Sequence, residues 1–97
     1  MKENLLTIVN HYGVKNQQKK LAEEVFELNE AILEYRYDEN KIYSEVEQHL
    51  KNHIIEEIAD VMVILSQFKE YYQIDSIDIL DVMKKKINRQ IKRIENE

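Results

Sequence analysis

The chain has 97 residues, 43% hydrophobic and 34% charged, with a net charge of −5, no proline, no cysteine and a single glycine. That balance excludes a disordered chain, a disulfide scaffold and a thiolate metal site. It also leaves too few turn-forming residues for a many-stranded sheet, so one all-α domain over residues 1–97 is expected.

The opening stretch MKENLLTIVN lacks the apolar region of a signal peptide, and no later stretch can span a bilayer. A cytoplasmic protein without a membrane partner is expected. Leu5, Leu6, Ile8 and Val9 predict a short first helix ending near Tyr12-Gly13, where glycine suits the position after the last turn. A second helix is expected from about Asn16 to Tyr37, with Leu21, Val25, Leu28, Ile32 and Tyr35 as its core stripe. Asp38-Glu39-Asn40 reads as a break.

Ser44 and Glu47 have the S-x-x-E spacing of a capping box and are expected to open a third helix, running to about Tyr71. Its main stripe is Ile54, Ile58, Val61, Leu65 and Phe68, while Ile55, Ala59, Met62 and Val63 lie on its other sides. A helix apolar nearly all round is enclosed on more than one face, which in so short a chain implies a central helix or a subunit interface. The fourth helix is expected from Asp75 or Ser76 to the C-terminus, along Ile79, Leu80, Met83, Ile87, Ile91 and Ile94. Four helices joined by short loops suggest a bundle.

Chemistry enters through the acids. With about 100° of turn per residue, Glu24 and Glu27 fall at one edge of the second helix's stripe. Glu57 and Asp60 fall at the same edge of the third, and Glu57 sits inside a strongly apolar run. If the stripes pack together, four carboxylates converge, and their mutual repulsion calls for a compensating charge. All-oxygen ligation suits a hard divalent cation, Mg²⁺ or Mn²⁺, which in turn can hold substrate phosphates and orient water. Ordinary ion pairing is the competing reading: Lys20 can neutralise Glu24, and bases of the last helix can neutralise the others.

The stretches GVKNQQKKLAEEVFELNEAI and IIEEIADVMVIL resemble the MazG-like, all-α nucleoside triphosphate pyrophosphohydrolases. Glu23-Glu24-x-x-Glu27 and Glu57-x-x-Asp60 match the family's E-E-x-x-E and E-x-x-D motifs, and Gly13 and Gln17 match a G-x-x-x-Q lead-in of small, phage-type members. The resemblance covers roughly residues 12–65. It implies a four-helix bundle-like MazG-type fold that is oligomeric, a homodimer or a homotetramer built from dimers. It further implies Mg²⁺ ligation by Glu24, Glu27, Glu57 and Asp60. The implied reaction cleaves a nucleoside triphosphate between its α and β phosphates, and Glu23 joins Glu24 and Glu57 as a catalytic candidate. Clearing unwanted or modified nucleotides is the role that fits. The family's closing Lys-Asn-x-x-Arg pattern is replaced here by NRQIKRIENE, with Arg89 and Arg93 in comparable places.

Substrate contacts are expected from Gln17, Lys20, Lys86, Arg89 and Arg93. The run from Lys84 to Arg93 carries six bases and no acid; the bases of the last helix can hold phosphate or simply suit the helix dipole. The acidity of the remainder argues against a nucleic-acid partner. His49 and His53 have zinc-compatible spacing but read equally as polar surface, and the tyrosines can stack on a base or only pack. Two alternatives stay open: a phosphoribosyl-ATP pyrophosphohydrolase, and a non-catalytic helical oligomerisation or regulatory module.

Overall fold

The computed structural model describes residues 1–97 and contains helices only. In chain order these are α1 (Lys2–Tyr12), α2 (Val14–Tyr37), a short 3-10 turn (Glu39–Ile42), α3 (Ser44–Tyr71) and α4 (Ser76–Glu95).

The junctions follow from local chemistry. Gly13 separates α1 from α2 at φ 90°, ψ 147°, a backbone region that side chains other than glycine's rarely adopt. Asp38 stops α2 and accepts a hydrogen bond from the Asn40 N–H at 2.8 Å. Asp75 caps α4 in the same way, accepting from the Ile77 N–H at 2.9 Å. The expected capping box does not form. Ser44 is the first helical residue rather than the cap, which is Tyr43, and no side chain caps α3. Glu47 turns instead to Lys51, 2.8 Å away.

α1, α2 and α3 pack on one another, α2 against α3 most extensively, around Leu5, Val9, Ala31, Leu50 and Ile64. The fourth helix does not join them. No residue of α4 is buried, and it forms no extended interface with the other helices. The expected bundle is therefore three helices deep within one chain, with the fourth standing off. The radius of gyration, 17.1 Å, records this; a compact chain of this length has about 12.5 Å.

The inward faces of α2 and α3 are rotated from the expected stripes. Val25 and Ile32 of α2, and Ile58 and Leu65 of α3, are exposed. The inward line of α2 runs instead through Gln17, Leu21, Glu24, Leu28 and Ala31, and that of α3 through Leu50, Ile54, Glu57, Val61, Ile64 and Gln67. The physical reason is that both helices carry two apolar faces, and the one turned inward is the one that also holds the acids. Glu24 and Glu57 thus lie on the packed faces rather than at their edges.

Candidate metal centre

Because α2 and α3 run antiparallel with these faces together, Glu24 meets Glu57 and Asp60. One carboxylate oxygen from each of the three lies within 4.8 Å of the others. Glu24 is buried, Glu57 half-buried and Asp60 exposed, so the cluster opens to solvent on the Asp60 side. Each inward acid is tied to a basic group one turn earlier. Lys20 Nζ lies 3.1 Å from Glu24 Oε1, and His53 Nε2 lies 3.4 Å from Glu57 Oε1. His53 also reaches Glu34 through Nδ1 at 3.3 Å.

These pairs leave the inner oxygens unanswered. Glu24 Oε2 and Glu57 Oε2 are buried and have no hydrogen-bond partner. Lone buried carboxylate oxygens are costly, and native proteins rarely leave them so without a ligand. The surrounding electrostatics carry the same mark. Burial, and then the charge of Glu24, hold the Asp60 carboxyl above the usual carboxylate range. The charge of Glu24, then burial and the charge of Glu57, push Glu27 the same way. On Lys20, the hydrogen bond to Glu24 raises the ammonium's pKa and keeps it charged.

Three of the four expected ligands therefore converge, while Glu27 stands on the exposed flank, close enough to feel the others' charge but outside the triad. An all-carboxylate set with two unpartnered buried oxygens fits a hard divalent cation and offers no soft ligand.

Beside the triad lies a cavity of about 480 Å³ lined by Tyr12, Asn16, Gln17, Lys19, Lys20 and Glu23. Gln17, Lys20 and Glu23 thus share one cavity wall. Lys86, Arg89 and Arg93 do not join them: all three are exposed on α4 and form no ion pair with any acid of the chain. His49 is exposed and lines a separate cavity with Glu34, Asn52, His53 and Glu56, so the two histidines share no metal set within the triad.

One residue was not anticipated. Gln67, almost wholly buried, accepts a hydrogen bond at 2.8 Å from Gln17 Nε2 across the helix interface. Its sequence signal is spacing: Gln67 follows Asp60 by the same seven residues by which Gln17 precedes Glu24. Two turns along antiparallel partners carry both glutamines to the same layer.

Comparison with protein-family models, curated proteins and solved structures gives no match to this chain.

Proposed function

We propose that the chain is a Mg²⁺-dependent nucleoside triphosphate pyrophosphohydrolase of the MazG-like type, releasing a nucleoside monophosphate and pyrophosphate. The observation that carries this reading is the convergence of one carboxylate oxygen each from Glu24, Glu57 and Asp60, beside the buried, unpartnered Oε2 atoms of Glu24 and Glu57. Glu24, Glu57 and Asp60 would hold Mg²⁺, or Mn²⁺ in its place, with Glu27 joining from the flank. The ion, when bound, would neutralise phosphate charge and polarise the phosphorus centre. Lys20, kept cationic at the shared wall, offsets triphosphate charge beside the carboxylates. Glu23 lies in the adjoining cavity, where a carboxylate is suited to orient the attacking water.

The same reading includes a second copy of the chain. Five apolar residues are buried while twenty-five large apolar ones are exposed, so one copy leaves most of its apolar surface without a core. The accessible surface is 8070 Å², about 2200 Å² more than a compact monomer of this mass exposes. An excess of that size per chain is what an obligate dimer or larger assembly covers. Charge complementarity favours a like partner: α4 presents Lys84 to Arg93 while residues 23–34 carry five acids and no base. Packing α4 against a neighbour's acidic helices would also bring Lys86, Arg89 and Arg93 towards phosphate.

The deciding experiment incubates purified protein with Mg²⁺ and a panel of deoxynucleoside triphosphates and measures pyrophosphate. Release by the wild type and its loss in Glu57→Gln support the reading; equal release by both overturns it. The exposed apolar face of α4 favours one other reading, a non-catalytic oligomerisation module. That module predicts an assembly whose melting temperature ignores Mg²⁺.

A further inference from the structure

Glu57 has one neighbour in the chain that can donate to its carboxylate. Its side chain is 12% exposed, its Oε2 is buried without a partner, and the side chain paired with it is that of His53. Nε2 of that ring lies 3.4 Å from Glu57 Oε1, one turn back on α3. The other ring nitrogen, Nδ1, lies 3.3 Å from Oε2 of Glu34, which belongs to α2. The imidazole therefore spans the helix interface, from an outer carboxylate to an inner one.

A pair of charges on a helix surface contributes little, and this arrangement differs from one in two ways. Glu34 is half-exposed, whereas the Glu57 carboxylate is nearly closed off, so water is a poor substitute for the imidazole there. The ring is also short, rigid and approached at both nitrogens, so it fixes a direction. Lys20, the partner of Glu24, is a long flexible side chain, half-exposed. Nε2 carries a hydrogen in the doubly protonated ring and in one neutral tautomer, so donation to Glu57 does not require a charged ring.

His53 itself is outside the converging set of Glu24, Glu57 and Asp60. It faces a cavity of about 400 Å³ lined by Glu34, His49, Asn52, His53 and Glu56, with no apolar side chain among them. Packing thus gives no account of the residue. Groups that hold a ligating carboxylate in place set metal affinity nearly as strongly as the ligands do.

We propose that His53 is a positioning residue: approached by Glu34 from α2, it holds the Glu57 carboxylate in the direction that a divalent cation at the triad requires. The role rests on the reading of Glu24, Glu57 and Asp60 as a cation site, and it names a group outside that set on which the affinity depends.

The sign of one measurement separates this role from plain charge compensation. An imidazolium that only neutralised Glu57 would compete with the cation, so its removal would tighten metal binding. Positioning requires the opposite. Mn²⁺ is titrated into metal-stripped protein at a single pH, and the free ion is followed by electron paramagnetic resonance. His53→Leu should weaken Mn²⁺ binding by about 10–100-fold while keeping the helical circular dichroism of the wild type. His53→Gln, whose amide NH₂ reaches the place of Nε2, should recover most of that loss. Glu34→Ala leaves His53 and every ligand in place and should weaken Mn²⁺ by a smaller factor; it decides the question if His53→Leu does not fold. Unchanged or tighter binding by His53→Leu, or binding by His53→Gln as weak as by His53→Leu, overturns the role. Pyrophosphate release is a separate readout. Its absence from wild type that binds Mn²⁺ sinks the catalytic reading and leaves the positioning role standing, whereas wild type that binds no Mn²⁺ overturns both the centre and the role.

Discussion

Glu24 and Glu57 face one another across the α2–α3 interface as near mirror images. Each is tethered through Oε1 to a basic side chain four residues earlier, Lys20 or His53, and each leaves Oε2 buried without a partner. The tethers are only partly desolvated, so the Lys20 ammonium supplies modest compensation to Glu24. The inner oxygens carry the unresolved charge. With one carboxylate oxygen of each of Glu24, Glu57 and Asp60 within 4.8 Å of the others, the cation-free cluster is strained by like charge.

Relief of that strain by a cation should be visible as stability. Adding Mg²⁺ at about a hundred times its Kd should stabilise the folded state by about 2.7 kcal/mol. For a domain of this size, each kcal/mol moves the melting temperature by about 4–8 °C. Calcium-free, EDTA-treated protein titrated with MgCl₂ in a thermal scan reads this directly. Glu57→Gln and Asp60→Asn should each melt higher than wild type in EDTA, because like charge is removed, and should lose the Mg²⁺ response. Variants that melt lower in EDTA would identify the triad as a set of ordinary ion pairs.

The metal-free protein should also respond to pH with a sign opposite to that of common acid denaturation. Burial and the charge of Glu24 hold Asp60 above the ordinary carboxylate range, and Glu24, burial and Glu57 do the same for Glu27. The folded state therefore binds protons that the unfolded chain has already released. Stability from these two groups is complete below the ordinary carboxylate range and is lost as pH rises through their elevated values. Glu70 works the other way. The hydrogen bond and charge of Lys69, with Lys2 further off, lower its pKa. Its contribution is present above the ordinary range and fades on acidification. Urea midpoints in EDTA should consequently peak in mildly acidic buffer and fall towards neutral pH. The fall should shrink in Asp60→Asn, and Mg²⁺ should abolish it.

The helix ends were legible because single residues make them. Gly13 and Asp75 act through backbone conformation and one side-chain bond, so their positions in the chain suffice. The inward faces were less legible. Val25, Ile32, Ile58 and Leu65 have the right period for a core, yet they are exposed in the single chain. Periodicity reports that a face is apolar and is blind to whether it meets its own chain or another copy. On helices with two apolar faces, the positions of Glu24 and Glu57 are better guides. Each would be intolerable on a face with no polar partner across from it. The pairing of Lys20 with Glu24 was foreseeable from its i, i+4 spacing. The burial of Gln67 is legible only through its matched offset from Asp60, since an amide contributes nothing to a hydrophobic pattern and its partner Gln17 is fifty residues away.

Gly13 offers a test of the junction that places α1, and with it Ile8, over the α2–α3 interface. A Cβ built there would meet nothing within 4 Å, so any penalty is purely conformational. At φ 90°, ψ 147° the cost to a non-glycine residue is about 1–3 kcal/mol. Gly13→Ala should lower the urea midpoint accordingly while leaving the denaturant slope unchanged. A neutral or stabilising result would mean that the α1–α2 corner adopts another backbone conformation.

The exposed face of α4 makes the strongest demand on assembly. Ile79, Met83, Ile87 and Ile91 line one side of a helix that buries nothing within its own chain, and an apolar strip of that length is seldom left in water. Analytical ultracentrifugation should find wild type as a dimer or a tetramer at micromolar concentration. Ile87→Glu should shift it to monomer, because a carboxylate placed in the middle of the apolar interface costs several kcal/mol. If α4 delivers Lys86, Arg89 and Arg93 to a neighbour's triad, the monomeric variant should lose triphosphate turnover and keep its Mg²⁺-dependent rise in melting temperature. The triad is assembled by α2 and α3 of one chain, and within that chain Lys86, Arg89 and Arg93 pair with none of its acids. Loss of both properties together would place part of the cation site at the subunit contact. Retention of both would remove α4 from the chemistry and leave it a purely structural arm.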